Sequence, residues 1–311
     1  MKKCLLWGMG QCYQNISTSI KLEILKNNIC IVAIVSKDII TDNYDGYKVI
    51  TSEMICDYEF DYIVITSDKF YDEISKEIIN KGINENVIIK GSVFNICNFD
   101  FGRYVNLIEH PITILTEDCM AGYLYKYLGL KFTSPTINTL FDEDDYALFI
   151  SNFTEYINKP LELYREGSLR RNEYPIGIIK NNYGGGVKIN FVHCTEFKEA
   201  KQQWDRRIER VHTDNIFIKW GIDASNKQRD KYLQVFNRLE YKKICFYSDS
   251  TDISNVVLLK RFLVEYDWKV RGNERLHSIY YNDYVRDLGK LYKSIDILKL
   301  LNGEKNYLRE V

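Results

Sequence analysis

A strand that runs straight into two glycines and then a helix constrains this sequence more than any other feature. Residues 4–7 are apolar, Gly8-Met9-Gly10 follows, and residues 13–25 carry isoleucines at helical spacing. Such a turn places backbone N–H groups at a helix N-terminus, where they can hold a phosphate or pyrophosphate. The pattern predicts a Rossmann-like unit at the start of the chain.

The first third of the chain alternates short runs rich in Ile and Val with helical patterns. We predict strands over residues 4–7, 29–35, 47–50, 61–66 and 87–89, and helices over residues 13–25 and 71–81. Strands buried on both faces have this composition in parallel sheets with helical crossovers. The fold class is therefore α/β, with a Rossmann-like parallel sheet first.

A second, larger α/β domain is predicted after this sheet. The alternation breaks over residues 96–110 and Pro111 begins a new strand, so we place the boundary near Phe101. This gives a nucleotide-binding-type domain over residues 1–101 and a second domain over residues 102–311. Its strands are expected over residues 112–115, 161–165, 176–179, 188–193, 216–220 and 243–247, and its helices over residues 120–128, 144–157, 196–211 and 227–239. Gly184-Gly185-Gly186 is expected to turn between two strands.

Bulk properties exclude several classes of protein. The 42 basic and 43 acidic side chains give a net charge of -1, which offers no field to attract nucleic acid. No stretch approaches the roughly 20 apolar residues of a membrane-spanning helix. The eight cysteines are scattered without a CxxC pair, which is typical of reduced thiols and removes the usual zinc signature. We expect a cytoplasmic protein with no metal site.

The residues around the glycine turn do not decide which ligand the turn binds. Tyr13 stands where a third glycine would complete a dinucleotide fingerprint, and Asp38 lies slightly late for a ribose carboxylate. Gly8 and Gly10 therefore favour a nucleotide or nucleotide-sugar over a nicotinamide cofactor, with a purely structural turn as the alternative.

Cys119 is predicted at the carboxyl end of a strand and the start of a helix. Ligand crevices lie at this edge of a parallel sheet, and a helix N-terminus stabilises a thiolate. Glu117 and Asp118 precede the thiol and oppose its ionisation. The two readings are a nucleophile and a packing residue.

His193 closes the strand predicted over residues 188–193. It would share a sheet edge with Cys119 if the two strands were parallel neighbours, and it would then serve as the base of a Cys-His pair. The alternative is a histidine that caps a helix beginning near Thr195. His110, His212 and His277 stand in less suggestive positions.

The helix predicted over residues 196–211 has one apolar and one basic face. Its arginines, Arg206, Arg207 and Arg210, suit a phosphate or carboxylate clamp because the guanidinium fork matches planar oxyanions. A solvated face with local acidic partners is the alternative. The 24 tyrosines suit sugar-ring contacts and hint at a homo-oligomer.

Several segments together resemble one bacterial family, the exopolysaccharide biosynthesis proteins, a domain of unknown function. The family pattern runs Ser-Asn-Asn-Cys-x-Gly-Gly, then Ser-Pro-Thr, then a histidine with a Trp/Arg-rich helix. Here Thr116, Glu117 and Asp118 replace the first polar residues and Ala121 replaces a glycine. The matching residues are Cys119, Gly122, Ser134-Pro135-Thr136, His193, Trp204, Arg206 and Arg207. The resemblance implies a place in surface-polysaccharide assembly. Asp118 and Ser134, which lie in these two segments, are further candidate ligand-binding residues.

The N-terminal segment is similar to the nucleotide-sugar-binding half of bacterial sugar O-acyltransferases, without their hexapeptide repeats. Our leading hypothesis is a protein of exopolysaccharide or capsule biosynthesis that binds a nucleotide-sugar or a similar small phosphate or sugar ligand, with transfer of a group to that ligand as its candidate reaction. In it, Gly8 and Gly10 cradle phosphate, Cys119 is the nucleophile and His193 the base. The alternatives are a non-catalytic nucleotide or sugar-phosphate sensor and, least favoured, a nicotinamide oxidoreductase.

Overall fold

The chain folds as two compact units. The computed structural model describes residues 1–38, 41–168, 173–222, 226–247, 256–258 and 295–308, so His277 lies outside the described residues. The first unit comprises residues 1–109 and 127–130, and the second comprises residues 110–126 and 131–311. Phe101, where we placed the boundary, begins a helix that stays with the first unit. Its ring packs 5.8 Å from that of Tyr62.

The first unit is a Rossmann-like layer of parallel strands. Its strands run in the order β3-β4-β2-β1-β5-β6, parallel except for the β3–β4 pair. The strands and helices predicted for this part of the chain are confirmed. From β1 the chain adds β2 and β4 on one side of the sheet and β5 and β6 on the other, so a topological switch point lies between β1 and β5. The elements are β1 (Lys2–Trp7), β2 (Ile29–Val35), β3 (Asn43–Tyr44), β4 (Tyr47–Ile50), β5 (Tyr62–Ile65), β6 (Ile88–Lys90), α1 (Gln11–Leu25), α2 (Tyr71–Asn80) and α3 (Phe101–Glu109).

The later part of the chain builds a second parallel sheet. Its described strands are β7 (Thr113–Thr116), β11 (Ile216–Ile222), β12 (Lys242–Tyr247) and β13 (Val256–Leu258), in the order β13-β12-β11-β7. The accompanying helices are α4 (Met120–Leu128), α5 (Glu143–Ser151), α6 (Phe153–Tyr156), α7 (Phe197–Ile208), α8 (Arg229–Arg238) and α9 (Ile297–Leu301). The single helix expected over residues 144–157 is wrong, because Asn152 leaves the helical region at φ -132° and separates α5 from α6.

A separate antiparallel sheet holds the strands of the middle segment. They are β8 (Glu162–Arg165), β9 (Ile176–Lys180) and β10 (Gly186–Asn190), in the order β10-β9-β8. The chain turns between β9 and β10 at the predicted glycine cluster. The strand predicted over residues 188–193 belongs to this antiparallel sheet, so the condition that it lies parallel beside β7 is not met.

β7 is an edge strand whose outer side is covered by hydroxyl groups. The Tyr125 hydroxyl accepts the Ile114 N–H at 2.9 Å and lies 2.7 Å from the carbonyl oxygen of Ile112. The Thr116 N–H donates to Thr136 Oγ1 at 3.2 Å. An uncovered edge would expose a row of unpaired backbone groups, so these side chains satisfy the strand that carries the candidate site.

None of the helices in the described ranges has the length and apolar character needed to cross a bilayer.

Candidate functional site

Cys119 stands just beyond the carboxyl end of β7, immediately before helix α4. β7 ends at Thr116, and Asp118 Oδ1 accepts the Met120 N–H at 2.9 Å where the helix begins. The Thr116 hydroxyl accepts the Ala121 N–H at 3.3 Å. Ligands of parallel α/β sheets bind at this end of the strands, so the fold places the thiol where a substrate would be expected.

His193 lies against this thiol. Its Nε2 is 3.3 Å from Cys119 Sγ, and the carbonyl oxygen of Thr139 is a more distant acceptor at 3.8 Å. His193 is exposed and Cys119 is half-buried, so the pair is open to solvent on the imidazole side. A neutral imidazole with its proton on Nδ1 accepts the thiol hydrogen at Nε2. The two side chains thus have the arrangement of a nucleophile and its base.

The route by which these residues meet differs from the sequence expectation. His193 follows β10 of the antiparallel sheet, and it does not close a strand beside β7. The alternative role as a helix cap is also wrong. Helix α7 begins after Glu196, and the Phe197 N–H donates to Glu166 Oε1 at 2.7 Å.

Cys119 keeps its proton in the resting site. Burial, followed by the negative charge of Asp118, raises the pKa of Cys119 to about 11. The helix N-terminus does not offset this effect through Met120 and Ala121, because their N–H groups are bonded to Asp118 and Thr116. Nucleophilic attack at neutral pH therefore needs a base beside the thiol.

The two residues before Cys119 form a buried ion cluster with Lys219. Lys219 Nζ lies 2.7 Å from Glu117 Oε1 and 3.2 Å from Asp118 Oδ2. Desolvation of the buried ammonium lowers the pKa of Lys219 to about 8, whereas burial and the charge of Glu117 raise the pKa of Asp118 well above its usual range. Both carboxyl oxygens of Asp118, which we predicted to bind ligand, are engaged within the protein. Shifted pKa values of this kind cluster at functional sites.

Ser134 lies in the interior, in the turn beside β7. Its side chain is fully buried, and its Oγ accepts the Thr136 N–H at 3.1 Å. The predicted role in ligand binding is therefore wrong, and the residue orders the turn that covers the edge of β7.

The predicted arginine clamp is divided between two environments. Arg206 and Arg210 are exposed, whereas Arg207 is buried on the same side of α7 as Trp204. Arg207 Nη1 donates to the carbonyl oxygen of Ile137 at 2.5 Å. The helical twist turns Arg207 inward, away from any anion at the surface, whereas anion binding by Arg206 or Arg210 stays a prediction.

The Gly-Met-Gly turn joins β1 to α1 and contains one glycine in the left-handed region. Gly8 has a φ of +103°, and a Cβ atom there would lie 2.7 Å from Thr66 Oγ1, so only glycine fits without strain. Gly10 precedes the first residue of α1, and a Cβ there would meet nothing within 4 Å. Asp38 is exposed beyond the end of β2. The turn therefore lies at the switch point with open space at Gly10.

Tyr13, which replaces the third glycine of the dinucleotide fingerprint, packs into the first unit. Its hydroxyl donates to Asp45 Oδ2 at 2.6 Å, and its ring lies 5.6 Å from that of Tyr44. The side chain is buried and fixes α1 against the β3–β4 hairpin. This contact explains why the helix can tolerate a large residue where a glycine would allow closer packing on the sheet.

No described group of three or more His, Cys, Asp or Glu side chains is placed to hold a metal ion. None of the eight cysteines forms a disulfide.

Lys219 is the main site residue that the sequence analysis missed. It stands within Ile216–Ile222, a strand that is otherwise apolar and buried throughout. Lysine is almost never fully buried unless it is paired, so a single lysine in such a strand was the available signal. Its partners Glu117 and Asp118 come from the distant β7 end, which no local pattern reveals.

Comparisons with known proteins give a family and no activity. An uncharacterized protein of Haemophilus influenzae is 25% identical over 141 residues, which is 45% of this chain, and the chain spans 63% of that relative's length. A crystal structure of the WlbA dehydrogenase from Bordetella pertussis in complex with NADH and UDP-GlcNAcA shares 9% identity, over 62% of this chain and 72% of that one, with a TM-score of 0.24. Residues 1–89 match the family model described as C2185-like, N-terminal. Residues 90–291 match the model Domain of unknown function (DUF1919), and the chain belongs to that family.

Proposed function

We propose that the protein is a group transferase in which Cys119 is transiently acylated and His193 moves the proton. The observation that carries this proposal is the distance of 3.3 Å between Cys119 Sγ and His193 Nε2 at the carboxyl end of a parallel strand. The sequence resemblance to exopolysaccharide biosynthesis proteins supports a place in surface-polysaccharide assembly, with a sugar hydroxyl as the acceptor.

The first half-reaction begins from the neutral thiol. His193 Nε2 accepts the thiol proton while Sγ attacks the carbonyl carbon of an activated acyl ester or thioester. The S–C bond forms, the bond from the acyl carbon to its leaving oxygen or sulfur breaks, and the His193 imidazolium protonates that leaving group. Because the pKa of Cys119 is raised to about 11, this base is needed at neutral pH.

The second half-reaction returns the enzyme to its starting state. His193 removes the proton of an acceptor hydroxyl, whose oxygen attacks the carbonyl carbon of the Cys119 thioester. The new O–C bond forms as the S–C bond breaks, and the departing sulfur takes the proton from His193. The acyl group has then moved from donor to acceptor without an external oxidant or reductant.

The first unit supports a nucleotide or nucleotide-sugar as the bound ligand. The open space at Gly10, the start of α1 and the switch point beside β1 suit a phosphate group at the helix N-terminus. The competing function is a non-catalytic sensor of such a ligand, which the raised pKa of the Cys119 thiol favours.

Acyl labelling separates the two functions. The purified protein is incubated with acetyl-CoA or p-nitrophenyl acetate, and acetylated cysteines are mapped by peptide mass spectrometry. We expect Cys119 to be labelled before the exposed thiols of Cys12, Cys56 and Cys97. A Cys119→Ser variant is the control. If only the exposed thiols were labelled, the transferase hypothesis would be rejected and the non-catalytic sensor would remain.

A thermal-shift panel tests the glycine turn. UDP-sugars, CDP-sugars, acyl-CoA and NAD are added to the protein and to Gly10→Val, whose side chain would fill the space at the start of α1. Thr18→Val, an isosteric change at an exposed position of α1, is the matched control. We expect a nucleotide-sugar to stabilise the wild type and Thr18→Val, but not Gly10→Val. No stabilisation by any ligand would make the turn purely structural.

A further inference from the structure

Lys219 joins the two residues that precede Cys119 to the neighbouring strand. The register of the parallel sheet pairs Lys219 on β11 with Thr116, the last residue of β7. The Lys219 side chain is fully buried, and its Nζ contacts Glu117 Oε1 at 2.7 Å and Asp118 Oδ2 at 3.2 Å. One ammonium group therefore holds both carboxylates where the chain leaves the sheet.

Each carboxylate makes a second contact that limits the path of the backbone. Glu117 Oε1 also accepts the Gly221 N–H at 2.8 Å, and Asp118 Oδ1 accepts the Met120 N–H at 2.9 Å. The first contact fixes the turn to β11, and the second fixes it to α4. Cys119 lies between these anchors, so its main chain cannot shift without breaking charge-assisted hydrogen bonds.

Lys219 brings a buried charge into an otherwise apolar strand. Beside the ion cluster, its side chain borders an apolar crevice whose lining includes Met120, Leu124, Phe217 and Ile244. Burying an ion pair is a weak source of stability, because the cost of desolvation offsets the attraction. Buried ionic groups of this kind are better explained by the single geometry they impose.

We infer that Lys219 is a positioning residue that holds Cys119 Sγ against His193 Nε2 through Glu117 and Asp118. This inference rests on the proposed function, since it assigns Lys219 to the same thiol and base. Lys219 touches neither reactive atom. Its effect on Cys119 must therefore depend on the presence of His193, which a merely stabilising residue would not require.

A double-mutant cycle on the full chain measures that dependence. Lys219→Met combined with Glu117→Gln removes the ammonium and one of its two carboxylate partners, retains the side-chain lengths and leaves an acceptor for the Gly221 N–H. Asp118 keeps its bond to the Met120 N–H but loses its contact with Lys219. The second mutation is His193→Gln. The rate constant for alkylation of Cys119 by iodoacetamide at about pH 7.5 is followed by peptide mass spectrometry, with the exposed thiol of Cys12 as the reference for reagent and folding.

We expect the charge-removing pair to slow alkylation of Cys119 about tenfold when His193 is present and less than about twofold in the His193→Gln background, a coupling in the range measured for contacting networks. An equal slowing in both backgrounds would overturn the inference, because Lys219 would then act on the thiol independently of the base. If His193→Gln alone leaves the rate unchanged, the proposed dyad is wrong and the inference fails with it.

A milder variant covers the case in which the charge-removing pair does not fold. Glu117→Gln alone keeps Lys219 beside Asp118 and keeps an acceptor for Gly221. The same cycle with this variant should show a smaller effect with the same dependence on His193. Equal effects in both backgrounds would again reject a positioning role.

Discussion

Arg207 Nη1 donates a hydrogen bond to the carbonyl oxygen of Ile137 at 2.5 Å, which ties helix α7 to the segment beside Cys119. The carbonyl oxygen of Thr139, two residues further along, lies 3.8 Å from Cys119 Sγ. The arginine that the sequence offers as an anion clamp therefore orders one wall of the candidate site.

Replacing Arg207 by Met should cost about 1–3 kcal/mol of unfolding free energy, because the carbonyl oxygen of Ile137 loses its buried partner. Urea unfolding measures the loss. Arg206→Met, at the exposed neighbouring position, is the matched control and should change stability by less than about 0.5 kcal/mol. Equal losses for the two variants would show that the contact with Ile137 is not stabilising.

Side-chain hydroxyl groups satisfy the outer edge of β7, so removing one of them should lower the free energy of unfolding. Tyr125→Phe leaves the Ile114 N–H without its 2.9 Å acceptor in a buried position, so we expect a loss of about 1–3 kcal/mol. Tyr123→Phe, at an exposed position of the same helix, should be nearly neutral. Chemical denaturation of both variants compares them, and a neutral Tyr125→Phe would contradict this account of the edge.

The two glycines of the turn should respond differently to alanine. Gly8→Ala forces a side chain onto a φ of +103° and toward Thr66 Oγ1, which should cost about 2 kcal/mol or more. Gly10→Ala should stay within about 1 kcal/mol, because its Cβ meets nothing within 4 Å. Thermal unfolding of the two variants measures this difference in stability. Similar melting temperatures for both would show that the Gly8 conformation is not required.

The free energy of unfolding should depend on pH because the pKa of the buried Cys119 thiol is raised. Its pKa is raised from 9.0 in an ordinary thiol to about 11, so between these values the unfolded chain has already lost the proton that the folded chain keeps. The contribution of Cys119 to stability is therefore full below pH 9 and declines as the pH rises through 11. The difference in melting temperature between wild type and Cys119→Ser should shift against the wild type over this window. A constant difference would show that burial does not raise the pKa of Cys119.

Particular elements show which parts of the fold can be predicted from the sequence. β2 and β5 are short apolar runs whose place in a parallel sheet follows from composition and the helices between them. The break at Asn152 depends on one backbone conformation that periodicity does not encode. The pairing of β10 depends on the β9–β10 turn, whose glycines were recognised although the direction of the strand was not.

Individual residues of the candidate site could be predicted from the sequence, but the contacts between them could not. Cys119 and His193 were singled out by their positions after apolar runs, and they lie 3.3 Å apart for a reason the sequence did not supply, since they follow strands of different sheets. Lys219 was missed because its partners come from a segment about a hundred residues away. Contacts of this range are set by tertiary packing, which no local pattern specifies.

The contribution of His193 to acylation of Cys119 tests the central claim most directly. The rate constant for acetylation of Cys119 by p-nitrophenyl acetate is measured near neutral pH in the wild type and in His193→Gln, with the exposed Cys12 as an internal reference. If His193 is the base, its loss should slow acetylation about 10²–10⁴-fold while the rate at Cys12 stays the same. Equal rates at Cys119 in the two proteins would contradict the account.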